Sequence, residues 1–169
     1  MTATLLVPDR EALVDTTLAP VLARVHDRSM AEHEVALDPI SDPDATFFQR
    51  WAAVRYLWDQ FAERFLLEQR LLDELHPFIP VELRNRLEMQ IDRLGRLQHD
   101  LDRLAHQRGV ARELASTTRA LLEALRQWYA EIEFAAGEIR RSDISNSAQG
   151  ILEKLNRGSS SCWVSADCR

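Results

Sequence analysis

Starting at Phe47, apolar side chains recur at steps of three and four: Phe47, Trp51, Val54, Trp58, Phe61, Phe65, Leu72 and Leu75, with Glu68 the polar member of the series. The period matches an α-helical turn and predicts one helix of roughly 45 Å, at ~1.5 Å per residue, closing before His76-Pro77. A second series, Leu114, Thr118, Leu121, Leu125, Trp128, Ile132, Ala135 and Ile139, predicts another helix. Between the two, Leu83, Leu87, Ile91, Leu94, Leu97, Leu101 and Leu104 predict a third. Near the front, Leu22, His26, Met30, His33 and Leu37 share one face of a helix that Pro20 opens and that reaches Leu37; a short helical piece is expected after Pro8.

The boundaries carry their own signals. "ALDPISDPDATF" holds two Asp-Pro pairs and places Asp44 as a cap for the long helix, while Pro80 sits where a first helical turn tolerates it. Gly109 separates two periodic runs as a helix stop or tight connection. "SDISNS" reads as a cap and "AQGILEKLNRG" as a short fifth helix ending at Gly158. With short connections and no alternating strand pattern, the expected fold is all-α: an antiparallel four- to five-helix bundle over residues 1–158, followed by a flexible tail over 159–169.

Length and charge narrow the function classes. The 169 residues suffice for one sizeable core, so one domain is expected. A net charge of -6, with no basic patch, argues against a nucleic-acid binder. The start "MTATLLVPDREALVD" has neither a charged head nor a sustained apolar run, and no stretch is apolar enough for a membrane span. The expected location is therefore cytoplasmic, with no membrane partner. In that compartment the two cysteines, Cys162 and Cys168, should be thiols, since their spacing is none of the zinc-ligand patterns.

Catalytic signatures are missing. Only five glycines are present, none in a phosphate-binding loop, and no Ser or Cys stands in a nucleophile-elbow context. The polar residues on apolar stripes are the remaining chemical candidates. His26 and His33 fall on the face of the first helix where a core wants carbon, and Glu68 interrupts the stripe of the second. Two nitrogens and a carboxylate suit iron, zinc or manganese. The competing reading is that these side chains are satisfied internally, with Glu68 turned to Arg64 or paired with another helix. His99 and His106 share a face with Asp92, Arg96, Asp102 and Arg103, which reads as solvated; Asp73 with His76 reads as a helix end. Trp128-Tyr129 and Trp58 with Phe61 read as core.

The order "MAEHEVAL", "FLLEQRLLDELHPFIP", "RLQHDLDRL", "LLEALRQWYAEIEF" resembles the helix order of hemerythrin-like domains over about residues 20 to 140, with His33 and His99 near first- and third-helix ligand places. That resemblance implies a helical bundle holding a di-iron centre. This chain departs from it in the second and fourth helices, which offer Leu66 and Glu68, then Ile132 and Glu133, and no histidine. "ARVHDRSMAEHE" followed by "PVELRNRLEMQIDRLG" is also similar to heme-oxygenase-like proteins, which would make His26 the proximal heme ligand. The glycine-rich distal helix of that family has no counterpart here; Gly137 and Gly150 alone do not supply it.

The tail "GSSSCWVSADCR" breaks with everything before it. Ser159, Ser160, Ser161, Cys162, Trp163, Ser165 and Cys168 concentrate hydroxyls, both thiols and an aromatic ring in a segment with no helical period. An exposed thiol and an exposed Trp are both features that soluble surfaces tend to avoid. The chain is therefore expected to be a non-catalytic scaffold or binding module that presents this segment to a partner protein, with Trp163 and Val164 as apolar anchors. Two alternatives stand beside it. The segment could be the modified part of a ribosomally made peptide precursor, recognised by a modifying enzyme, or the bundle could bind iron or heme. A Cys162–Cys168 disulfide would need an oxidising compartment, and a second copy of the chain is a further candidate partner.

Overall fold

The computed structural model of the protein describes residues 16–157. The helical piece expected after Pro8 and the segment 159–169 lie outside them. Within them the chain forms an all-α bundle of α1 (Ala19–Ser41), α2 (Phe47–Leu75), α3 (Val81–Ala105), α4 (Ala111–Ala135) and α5 (Asn146–Arg157), with a 3-10 turn, His76–Phe78, between α2 and α3. Among the described residues no strand forms; Thr17 and Arg140 make one isolated antiparallel bridge.

α4 ends at Ala135, short of Ile139 in its predicted series; two further boundaries differ from expectation for identifiable reasons. α1 continues past Leu37 through Pro39 to Ser41. Pro39 has no N–H to give the Val35 carbonyl one turn earlier, but Val35 lies on the exposed side of the helix, while Leu37 and Ile40 are buried and hold the last turn to the core. At the start of α2 the cap is Thr46, not Asp44. Thr46 Oγ1 accepts from the Gln49 N–H at 3.2 Å and Gln49 Oε1 accepts from the Thr46 N–H at 2.7 Å, a reciprocal capping box. Asp44 lies two residues too early and donates its own N–H to Asp42 Oδ1 at 2.9 Å. Gly109 takes φ 82° in the α3–α4 connection, a conformation that disfavours any side chain. Ser145 caps α5 by accepting from the Ala148 N–H at 3.0 Å.

Cross-helix contacts fix the topology. Leu18 pairs with Ile139, His26 with Glu133, Ser29 with Tyr129 and Glu34 with Arg126, so α1 and α4 run antiparallel in register. α3 packs on α4 and α1 on α2, completing the four-helix arrangement, and α5 packs on α2. The core is aliphatic, with Leu22, Leu57, Leu94, Leu121 and Leu125 fully enclosed around Trp128. Every position of the α4 series is buried. In α2 the buried face is Ala53, Val54, Leu57, Phe61, Glu68, Leu71 and Leu75; Val54, Phe61, Glu68 and Leu75 belong to the predicted stripe, whereas Trp51 is exposed and Trp58 and Leu72 are only partly covered.

Candidate functional site

Three helices converge on one buried polar layer. α1 supplies His26, Ser29 and His33, whose three- and four-residue spacing keeps them on one face. α2 supplies Arg64 and Glu68 one turn apart, and α4 supplies Trp128, Tyr129 and Glu133. The Arg64 guanidinium donates from Nε to Glu68 Oε1 at 3.1 Å and from Nη2 to the Val25 carbonyl at 2.7 Å, crossing to α1. The other Glu68 oxygen accepts from Trp128 Nε1–H at 3.1 Å. Glu68 thus meets both Arg64 and another helix, and its carboxylate is only 3% exposed.

The histidines are held in the same way. His26 Nδ1 lies 2.6 Å from Glu133 Oε1, and its ring stacks on Tyr129 with centroids 4.0 Å apart and planes 7° from parallel. Ser29 Oγ joins His33 Nε2 at 3.2 Å to the Tyr129 hydroxyl at 3.1 Å. Burial first, and the Arg64 charge second, pull His26 down to about 3 and His33 down to about 4. Both rings are neutral at physiological pH. His26 then donates Nδ1–H to the Glu133 carboxylate, which leaves Nε2 as a lone-pair acceptor. That Nε2 atom is buried and has no hydrogen-bond partner.

The acids respond to burial in the opposite direction. Burial pushes the Glu68 carboxyl up, while Arg64 and the Trp128 N–H favour its ionised form. Glu133 is raised by burial and by the nearby Asp27 charge, and burial raises the Tyr129 phenol well above its ordinary range.

The candidate ligands His26, His33 and Glu68 therefore share one layer, each already engaged by protein groups. Among the described residues no three His, Cys, Asp or Glu side chains are grouped to hold a metal ion. His99 on α3 and His106, the residue that follows it, are exposed. Ser29, Tyr129 and Glu133 complete the layer without having been singled out as partners. Their bonds join residues about a hundred positions apart, which a periodicity within one helix cannot reveal. The tail candidates Ser159, Ser160, Ser161, Cys162, Trp163, Ser165 and Cys168 lie outside the described residues.

A second feature lies on the surface. α1 and α2 leave between them a groove of about 760 Å³, with Ala31, Val35 and Pro39 on one wall and Ala52 and Tyr56 on the other. Val35 is 72% exposed and Phe48, one turn before Ala52, equally so. At the end of this groove Arg28 reaches α5 and donates to the Leu155 and Asn156 carbonyls at 3.2 and 2.5 Å.

Comparison with known protein families, with curated proteins and with solved structures gives no match. Among the described residues no helix is long and apolar enough to cross a membrane.

Proposed function

We propose that the chain is a non-catalytic helical-bundle binding module that presents its segment 159–169 to a partner protein. The observation that carries this reading is the anchoring of the last described helix. Arg28 of α1 holds the terminal carbonyls of α5, and Leu155 is buried two residues before the described residues end, so the segment that follows starts from a fixed point on the bundle. Carbonyls at a helix C-terminus lack intrahelical partners and carry partial negative charge, which makes a guanidinium an apt clamp. Trp163 and Val164 supply apolar contact of the kind that dominates small interfaces.

Deleting residues 159–169 in the native host tests the reading. The full chain should elute in a complex larger than itself, and the deleted chain should elute alone. A complex that survives the deletion unchanged contradicts the proposal.

A second reading, binding of iron or heme, keeps one specific support: the buried lone pair of His26 Nε2, where a ligand could be added without displacing an existing hydrogen bond. It requires stoichiometric metal in the native protein that disappears in His26→Ala. The precursor reading requires a mass change confined to residues after Gly158.

A further inference from the structure

We infer that the α1–α2 groove is the resting seat of the chain's own segment 158–169, with Trp163 lying against Val35 and Tyr56. The inference rests on the presentation reading and adds where the segment is kept. Three features of the fold point to this occupant.

The first is chain direction. α5 begins at Ser145, whose hydroxyl donates to Glu74 at the far end of α2, and ends beside Arg28. It therefore runs antiparallel to α2 and parallel to α1. The groove opens at Arg28 and continues in that same direction to Pro39. A chain leaving Arg157 along the axis of α5 needs no reversal to enter it.

The second is reach. Arg28 to Pro39 spans eleven residues of helix, roughly 17 Å at ~1.5 Å each. Trp163 lies six residues beyond Arg157, and an extended chain covers ~3.3 Å or more per residue, about 20 Å in all. Trp163 can therefore stand at any point along the groove.

The third is chemistry. Most of the lining is small or apolar, with Ala31, Ala52, Val35 and Pro39, Tyr56 as an aromatic wall and Phe48 beyond it; Glu32 and Gln49 are its polar members between the ends. An indole buries on the order of 200 Å² in such a site and favours an aromatic neighbour. Trp163 and Val164 are the large apolar residues that the adjoining segment offers in sequence, and a partner protein would have to displace them to gain the segment.

The test uses the full chain with Cys168→Ser, so that Cys162 is the remaining native thiol. A second thiol is introduced by Val35→Cys, or as a control by Met89→Cys, a 71% exposed position on α3. Under mild oxidation in dilute solution, the Val35→Cys protein should close an internal disulfide with Cys162 about tenfold or more faster than the control, since docking raises the effective concentration at position 35. Adding Ala52→Glu, which places a charge in the groove without touching a buried residue, should bring the rate down to the control value. Circular dichroism confirms that helicity is retained in each variant. Equal rates at positions 35 and 89 overturn the inference. Disulfide-linked dimers whose yield grows with concentration also overturn it and assign the groove to a second copy. If the rates are equal while deletion of 159–169 still dissolves the native complex, only the resting seat falls and presentation stands.

Discussion

Trp128 and Glu68, sixty residues apart in sequence, meet in the middle of the bundle through a 3.1 Å hydrogen bond from the indole N–H to a carboxylate oxygen. The other oxygen of that carboxylate is held by Arg64, which also grips the Val25 carbonyl. One buried ion pair thereby ties α2 to both α1 and α4, and it has consequences for stability that can be measured.

Removing the anion while leaving the cation should be severe. Glu68→Leu strands the Arg64 guanidinium in a largely buried site and should cost ~3–5 kcal/mol. Replacing both partners, Arg64→Met with Glu68→Leu, should recover much of that loss, because the uncompensated charge disappears with its partner. Urea unfolding of the two variants beside the parent chain checks both statements. Trp128→Phe removes one donor and some volume and should fall between the parent and Glu68→Leu.

Acid should loosen the fold before the surface carboxylates titrate. An unfolded histidine takes up a proton below about pH 6.5, whereas folded His33 resists until about 4 and folded His26 until about 3. The unfolded chain therefore binds more protons than the native one across that window, and the histidine contribution to stability is complete above pH 6.5 and is lost as the pH falls. At about pH 5 the loss is roughly 2 kcal/mol for each ring. Glu68 and Glu133 act in the opposite sense, since their raised carboxyls take a proton in the folded state first and steady the fold as the pH drops. His33→Gln isolates the histidine term. Relative to that variant, the parent chain should lose about 2 kcal/mol between neutral pH and pH 5 by urea unfolding.

The start of α2 offers a milder test. Thr46→Ala removes the hydroxyl half of the capping box and should cost ~1 kcal/mol. Asp44→Ala should change stability by less than half of that, because Asp44 reaches Asp42 through its backbone N–H, which alanine keeps. Thermal unfolding of the two variants side by side separates them.

Arg28→Ala should free the end of α5 without disturbing the core. Its two bonds to the Leu155 and Asn156 carbonyls are the named link from α1 to that turn. Amide exchange in the last turn of α5 should rise several-fold, with protection of the α4 core amides unchanged.

Much of this architecture is legible in the sequence. Positions from Leu114 to Ile139 lie on the face that their spacing assigns to them because α4 packs against both α1 and α3 and has one apolar stripe to offer. The stripe of α2 is less determinate. It is apolar on more than one side, so its rotation is set by which neighbours arrive, and Ala53, Leu57 and Leu71 are buried while Trp51 is exposed and Leu72 only partly covered. His26, His33 and Glu68 stand out in sequence because each breaks an apolar series. Ser29, Tyr129 and Glu133 do not, since a buried serine, a tyrosine hydroxyl and a half-exposed acid look ordinary until the antiparallel register of α1 and α4 brings them together.

On the proposed reading, the segment beyond α5 is what this bundle holds out to a partner. The most direct measurement replaces Trp163 with a photo-crosslinking phenylalanine analogue in the full chain, expressed in its own host and irradiated in intact cells. One discrete adduct joining position 163 to a second polypeptide is expected, competed away by a synthetic peptide spanning residues 158–169. Adducts to no other polypeptide, at any level of expression, would contradict it.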